Sequence, residues 1–291
     1  MLKHRMTSMS RFLLITLMGP AMALAMCVSL AWSLESDWAE TEGGRMRLVV
    51  DPTPRDDGMI AGYLDIALDP GWKTYWRDPG GSGIPPMLDF SQSRGVAFEE
   101  MAYPPPVRIN DGYAIWSGYT APVQFPLTFR RTASGDAQIR ALAFIGICDK
   151  ICVPFQAELT VDLPGAANSH DSVTPLVESA FARLPEPAGA DFNLENVSFN
   201  INGSELEVSA NLPSFRPSGV TPELFVAGPE GFAFAPPVLT VDEGGMVSWS
   251  MRVESAPASV SRDRKIALDL VVTLGQRAIG QRLDVEPAAS E

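Results

Sequence analysis

The residues in this sequence best suited to chemistry are Cys148 and Cys152, with Asp149, Lys150 and Ile151 between them. The segment runs Phe144-Ile145-Gly146-Ile147-Cys148-Asp149-Lys150-Ile151-Cys152-Val153-Pro154, with strand-like runs on both sides. A three-residue spacer suits a hairpin-like turn. Residues opposite each other in an antiparallel pair lie about 4.5–5.5 Å apart at Cα, and a disulfide needs about 4.4–6.8 Å, so the two sulfurs can join without strain. A loop this short loses little chain entropy on closure, so the bond stabilises less than one closing a long loop. A weakly stabilising disulfide at an accessible turn is better suited to exchange than to bracing. Lys150 favours a thiolate and Asp149 opposes one. On spacing alone, three chemistries stay open: a redox-active pair, a structural disulfide, and a metal site. The metal reading is thin, because two thiolates make half of a tetrahedral site. The only 2 histidines, His4 and His170, fall in the N-terminal stretch and in a polar linker.

Other catalytic arrangements fail on inventory. Ser-His and Cys-His triads need a histidine inside the domain. Gly80-Gly81-Ser82-Gly83 is glycine-rich, but Pro85-Pro86 forbids the helix that a phosphate loop must open. The acidic residues show no paired pattern and read as a solvated surface. No cofactor and no metal is implied.

The elements that must hold the cysteines are short strands. Alternating runs occupy 45–51, 61–68, 124–130, 138–144 and 156–163, each bounded by Gly, Pro, Asp or Asn. Many short strands joined by turns predict a sandwich or barrel. After Pro164-Gly165, residues 171–184 read as one helix, capped by Asp171 or Ser172, with Val177, Phe181 and Leu184 on one face. Pro185-Glu186-Pro187 ends it. A second series follows at 194–201, 205–212, 223–227, 238–241, 246–253, 265–274 and 277–285, with Asn202-Gly203 and Gly275-Gln276 as tight hairpin turns. The expected fold is all-β: two immunoglobulin-like β-sandwich domains, 36–165 and 191–288, joined by a linker over 166–190 with one short helix.

Composition fits an exported globular chain. Of 291 residues, 46% are hydrophobic and 20% charged, enough apolar content for a core. The first 33 residues are basic at the start and then apolar to Trp32, with Ala23-Leu24-Ala25 and Ala31-Trp32-Ser33 as cleavage patterns; they read as a signal peptide, with an uncleaved anchor as the alternative. A lipoprotein-like cleavage at Cys27 is disfavoured by the bulky Met26. Beyond them, 19 bases face 35 acids, which disfavours nucleic acid and anionic membrane surfaces as partners. Export leaves Cys148 and Cys152 as the only cysteines, in a compartment that is usually oxidising.

Taken in order, Gly71-Trp72-Lys73-Thr74-Tyr75-Trp76, Tyr103-Pro104-Pro105-Pro106, Tyr113 to Tyr119, Phe125-Pro126-Leu127 and Cys148 to Pro154 resemble the N-terminal domain of the thiol:disulfide interchange protein DsbD, over roughly residues 40–165. The Cys-x3-Cys-Val-Pro ending and the second sandwich look closer to the ScsB-like branch, linked to copper tolerance. The resemblance implies a periplasmic electron carrier of the protein-disulfide reductase type. Its cysteine pair would draw electrons from a separate membrane donor of the DsbD/CcdA type and pass them to thioredoxin-like periplasmic proteins. It implies Cys152 as the sulfur joined in the mixed disulfide and Cys148 as the resolving one. It also implies a cap loop at Asn110 to Trp116, including Asp111, with Tyr113 or Trp116 shielding the pair, and Tyr75 and Trp76 as aromatics beside it. Two alternatives from other classes stand beside this reading. One is a non-catalytic envelope module with a structural disulfide, for instance in cytochrome c biogenesis; the other is metal handling.

Overall fold

The computed structural model describes residues 34–288, apart from 82, 111, 113, 166–172, 201–203, 215–218 and 258–264. The expected signal peptide, the Asn202-Gly203 turn and the caps Asp171 and Ser172 lie outside the described residues.

The first sandwich-like body holds β1 (Ala39–Thr41), β2 (Gly44–Asp51), β3 (Met59–Leu68), β4 (Lys73–Tyr75), β5 (Met87–Asp89), β6 (Val96–Met101), β7 (Val107–Asn110), β8 (Ile115–Tyr119), β9 (Val123–Arg131), β10 (Ala137–Cys148) and β11 (Cys152–Leu163). One sheet has the order β1-β2-β3-β9-β6; the other runs β11-β10-β4-β8-β7, with β5 also on β10. The five strands read from the alternating sequence are all present, within a few residues of their expected ends. The short strands β4 to β8 carry too few alternations, and too many neighbouring prolines, to announce themselves.

Alternation places the core. Along β10, Ala137, Ile139, Ala141, Ala143, Ile145 and Ile147 face inward and are buried, meeting Leu48, Leu64, Phe125, Leu127 and Phe129 of the facing sheet. In β2 and β3 burial is nearly continuous, because helix α1 (Thr174–Phe181) covers their outer face. There Val177 and Ala180 pack on Val49, Ala61 and Tyr63, and the Thr174 hydroxyl donates to Asp51 at 2.6 Å. The helix is shorter than the 171–184 expectation. Its end tightens, with Arg183 N–H donating to Ala180 and Leu184 N–H to Phe181, the three-residue pattern that closes a helix before proline.

The second body comprises β12 (Glu186–Pro187), β13 (Asn193–Asn200), β14 (Glu205–Asn211), β15 (Glu223–Ala227), β16 (Ala233–Phe234), β17 (Val238–Glu243), β18 (Met246–Ser255), β19 (Ile266–Leu274), β20 (Arg277–Val285) and β21 (Pro287–Ala288). Its sheets are β12-β20-β19-β15 and β16-β18-β14-β13-β21, with β17 on β18. Within the segment read as a linker, the helix lies on the first body and β12 adds to a sheet of the second.

Alternation also decides how the bodies meet. Leu224, Val226, Leu270, Val272 and Ile279 face the second body's own core. Their neighbours Phe225, Ala227, Val271 and Ala278 face the other way and join the core cluster of the first. Arg77 closes the contact with Asp269 at 2.6 Å.

Candidate functional site

β10 and β11 form one long hairpin in which twelve consecutive positions pair, from Ala137↔Leu163 to Cys148↔Cys152. The cysteines are thus directly opposite each other at the last rung. Their Cα atoms are 4.1 Å apart and the sulfurs are bonded. The turn over Asp149, Lys150 and Ile151 has no residue at positive φ, so it needs no glycine. It is closed by the Asp149 N–H donating to Ile151 at 3.3 Å.

The two sulfurs sit in unlike surroundings. Cys148 is 1% exposed, whereas Cys152 is exposed. Next to Cys152, Ile151 stands 78% exposed at the tip. Both cysteines lie on the outer face of the sheet, since the inward positions of β10 are odd-numbered. Register extends that outer face across the next strand: Lys73 opposes Cys148, so Lys73 and Tyr75 project outward while Thr74 and Trp76 do not.

Tyr75 is the centre of the arrangement. Its hydroxyl lies 3.0 Å from Cys148 Sγ and 3.1 Å from Cys152 Sγ, within hydrogen-bonding reach of both. Trp116 meets its ring edge-on, with centroids 5.2 Å apart and planes at 67°. The Lys73 ammonium lies 4.7 Å above the Trp116 ring, a cation–π contact. Tyr75, Trp116 and Cys148 make a small buried cluster, completed by Ile84, Ile109 and Ala114.

Three glycines make room for this cluster. A Cβ on Gly146 would lie 2.9 Å from Ile84 and 3.0 Å from the Tyr75 ring; one on Gly118 would lie 2.2 Å from the Thr74 carbonyl oxygen and 2.9 Å from Trp116. Gly83 is similarly close to Tyr75, at 2.7 Å. The glycine-rich run that is unfit to cradle a phosphate therefore folds back over the tyrosine. Asp78 opens that run, accepting from the Gly80 N–H at 3.0 Å, and burial pushes its carboxyl above the usual range.

Of the residues singled out in the sequence, the structure brings together Cys148, Cys152, Tyr75 and Trp116. Trp76 is elsewhere: strand alternation turns it into the main core, 1% exposed and 6.1 Å from Phe225, with its indole N–H lacking a hydrogen-bond partner. Asp111 and Tyr113 lie outside the described residues. Sequence reasoning missed Lys73, Ile84, Ile109, Gly118 and the packing role of Gly146. Lys73 was legible from its place two residues before Tyr75; the others depend on non-local pairing. Among the described residues no cluster of three or more His, Cys, Asp or Glu side chains is arranged to hold a metal ion, and no helix is long and apolar enough to cross a membrane.

Residues 48–164 match the family model described as thiol:disulfide interchange protein DsbD, N-terminal. No curated protein matches the chain. Among solved structures, the crystal structure of the N-terminal periplasmic domain of ScsB from Proteus mirabilis superposes with a TM-score of 0.66 at 21% identity, covering 88% of this chain and 99% of that one. The fold of both bodies is therefore similar to that of the ScsB domain, and the segment carrying the cysteines, 48–164, is similar to the DsbD N-terminal family.

Proposed function

We propose, from a first body whose residues 48–164 match the DsbD N-terminal family model, that this chain is a periplasmic thiol–disulfide interchange protein working through Cys148 and Cys152. The observation that carries this reading is the asymmetry of the pair: one sulfur reachable, the other buried under a tyrosine and a tryptophan. Exchange requires in-line attack on one sulfur while the other departs, and only Cys152 offers the approach.

The cycle balances as two half-reactions. A thiolate of a membrane donor attacks Cys152 Sγ; the Cys148–Cys152 bond breaks and Cys148 leaves as a thiolate, then takes up a proton. The donor's second thiol displaces Cys152, leaving the donor oxidised and both cysteines here reduced. In the delivering half, the Cys152 thiolate attacks the disulfide of a thioredoxin-like protein, and Cys148 attacks Cys152 Sγ to release that protein as a dithiol. Two electrons pass in each half, and no bound cofactor takes part. The Tyr75 hydroxyl, 3.0 Å from Cys148 Sγ, is placed to donate to the departing thiolate, which lowers the cost of leaving. The similar ScsB domain is periplasmic, which supports the compartment, as does a disulfide that persists only where thiols are oxidised.

The test is mixed-disulfide trapping with a thioredoxin-like protein. Cys148→Ser should accumulate a covalent complex through Cys152, while Cys152→Ser should trap nothing. The reverse result would exchange the two roles. A pair that stays oxidised in buffers below about −300 mV behaves as a structural disulfide, and the proposal then fails.

A further inference from the structure

The sheet that carries the disulfide treats its outer face in two ways. Toward β4 and β8 the chain fills that face itself, with Tyr75 and Trp116 packed beside Cys148. Along β10, β11 and β5 the face stays open, and register shows what it presents. The outward positions of β10 are even-numbered, and each opposes an outward residue of β11: Cys148 with Cys152, Gly146 with Pro154, Phe144 with Gln156, Leu142 with Glu158. β5 adds Met87 opposite Phe144 and Asp89 opposite Leu142.

An apolar track therefore descends from the sulfurs, starting at Ile151 on the tip and continuing through Pro154, Phe144, Met87 and Leu142. Met87 is 52% and Leu142 43% exposed; Pro154 is exposed and Phe144 half-buried. These are positions where a solvated strand face ordinarily carries polar side chains, so the track is an exposed apolar patch of the kind that marks a contact surface. Its far end is closed by polar groups that satisfy one another. The Arg140 Nε–H donates to Glu158 at 3.1 Å, and Asp89 accepts from the Ser91 N–H at 2.8 Å. An apolar middle with a polar rim is the anatomy of a protein contact.

The disulfide identifies what covers the track. Exchange brings a partner's sulfur into bonding distance of Cys152, so the surface around Cys152 is covered whenever a protein thiol reacts there. A standard contact takes about 800 Å² from each partner, a disc of about 16 Å radius. At about 3.4 Å per residue, Phe144 lies about 14 Å from Cys148 along β10, and Leu142 about 20 Å. A disc centred on the sulfurs reaches Phe144 and Met87 and ends near Leu142. We infer that a thioredoxin-like partner docks down this track through apolar contacts, with Ile151 and Met87 as the residues that determine its recognition. This rests on the proposed exchange function. The partner's complement is an apolar ring around its own reactive cysteine, not a charged surface.

The experiment uses the full chain with two reductants, bacterial thioredoxin as the protein probe and dithiothreitol as the small one. Reduction of the Cys148–Cys152 bond is followed by acid quenching and alkylation. With thioredoxin, Ile151→Ser should slow the reaction about tenfold, Met87→Lys about fivefold and Leu142→Lys, at the rim, about twofold. With dithiothreitol, which needs no surface beyond Cys152, all three should stay within about twofold of the parent. Val238→Lys removes an apolar side chain that is 64% exposed on the second body and should leave both rates unchanged. Parental rates with thioredoxin in Ile151→Ser and Met87→Lys overturn the inference. So does equal slowing with both reductants, or slowing in Val238→Lys that matches Met87→Lys. A parent that sediments as a dimer and a Met87→Lys variant that sediments as a monomer would assign the track to a second copy of the chain, and also overturn it. A parent reduced by dithiothreitol but inert to thioredoxin instead removes the exchange function, and the docking with it.

Discussion

Each body is built around one long antiparallel hairpin, and the two are closed in opposite ways. β19–β20 pairs over nine positions, from Ile266↔Val285 to Leu274↔Arg277, and turns through Gly275-Gln276 with Gly275 at φ 62°. Backbone conformation alone makes that turn, as a two-residue hairpin with glycine should. β10–β11 pairs over twelve positions, turns through three residues with none at positive φ, and carries a sulfur bond at the last rung. A hairpin already fixed by so many rungs has little need of a covalent staple. The contrast teaches that the disulfide is an addition to a finished structural element, as the proposed exchange role requires.

The glycines of the two regions differ in the same sense. Gly275 is required by φ, with its nearest foreign atom 3.7 Å from an added Cβ; Gly118 is required by packing, with a backbone oxygen at 2.2 Å. The largest expected effect follows. Gly118→Ala forces β8 away from β4 beneath the cluster at Cys148 and should cost roughly 3 kcal/mol, the upper part of the overpacking range, read by denaturant unfolding. A loss under about 1 kcal/mol would mean that the strands part easily there.

Reducing the Cys148–Cys152 bond comes next, and bears on the comparison most directly. Its closed loop is so short that the entropic stabilisation amounts to about 2 kcal/mol, so the reduced protein should stay folded with its melting temperature lowered by a few degrees. Melting of the first body on reduction would make the bond a brace after all. In the second hairpin, Gly275→Ala should cost about 1 kcal/mol through the left-handed conformation alone, without touching disulfide chemistry.

The last difference is in alkaline behaviour. All 5 tyrosines lie between Tyr63 and Tyr119, in the first body. Burial pushes the Tyr63 and Tyr103 phenols up to about 12, and Tyr119 is raised as well, also by burial. An unfolded phenol ionises near its ordinary value of 10.0, so their contribution is complete below pH 10 and is lost as pH rises from 10 to 12. The first body should therefore unfold before the second on alkaline titration, with tyrosinate absorbance and susceptibility to protease rising together. Ionisation of Tyr63, Tyr103 or Tyr119 near pH 10 in a folded first body would count against it.

Much of this was readable from the chain. Period-two alternation marked the long strands, Gly275-Gln276 marked a hairpin, and the spacing of Cys148 and Cys152 implied a pair facing each other across a turn, because each of these is a local property of a few neighbouring residues. Tyr75 and Trp76 show where local reading stops. Both are large aromatics in one motif, yet one lies against the sulfurs and the other against Phe225 in the core. Their order in the sequence guarantees that they point oppositely along a strand, but which face holds the disulfide is set by pairing with β10, over seventy residues away.

From local pattern alone came the five long strands of the first body, the longer strands of the second, and the pairing of Cys148 with Cys152 across a turn. That Cys148 is covered while Cys152 is open, that a glycine-rich run closes over Tyr75, and that Arg108 reaches the second sandwich follow from contacts between distant segments. The physical reason is that propensity and alternation act over a few residues, whereas burial and access are shared among segments that meet only once the sheets have formed.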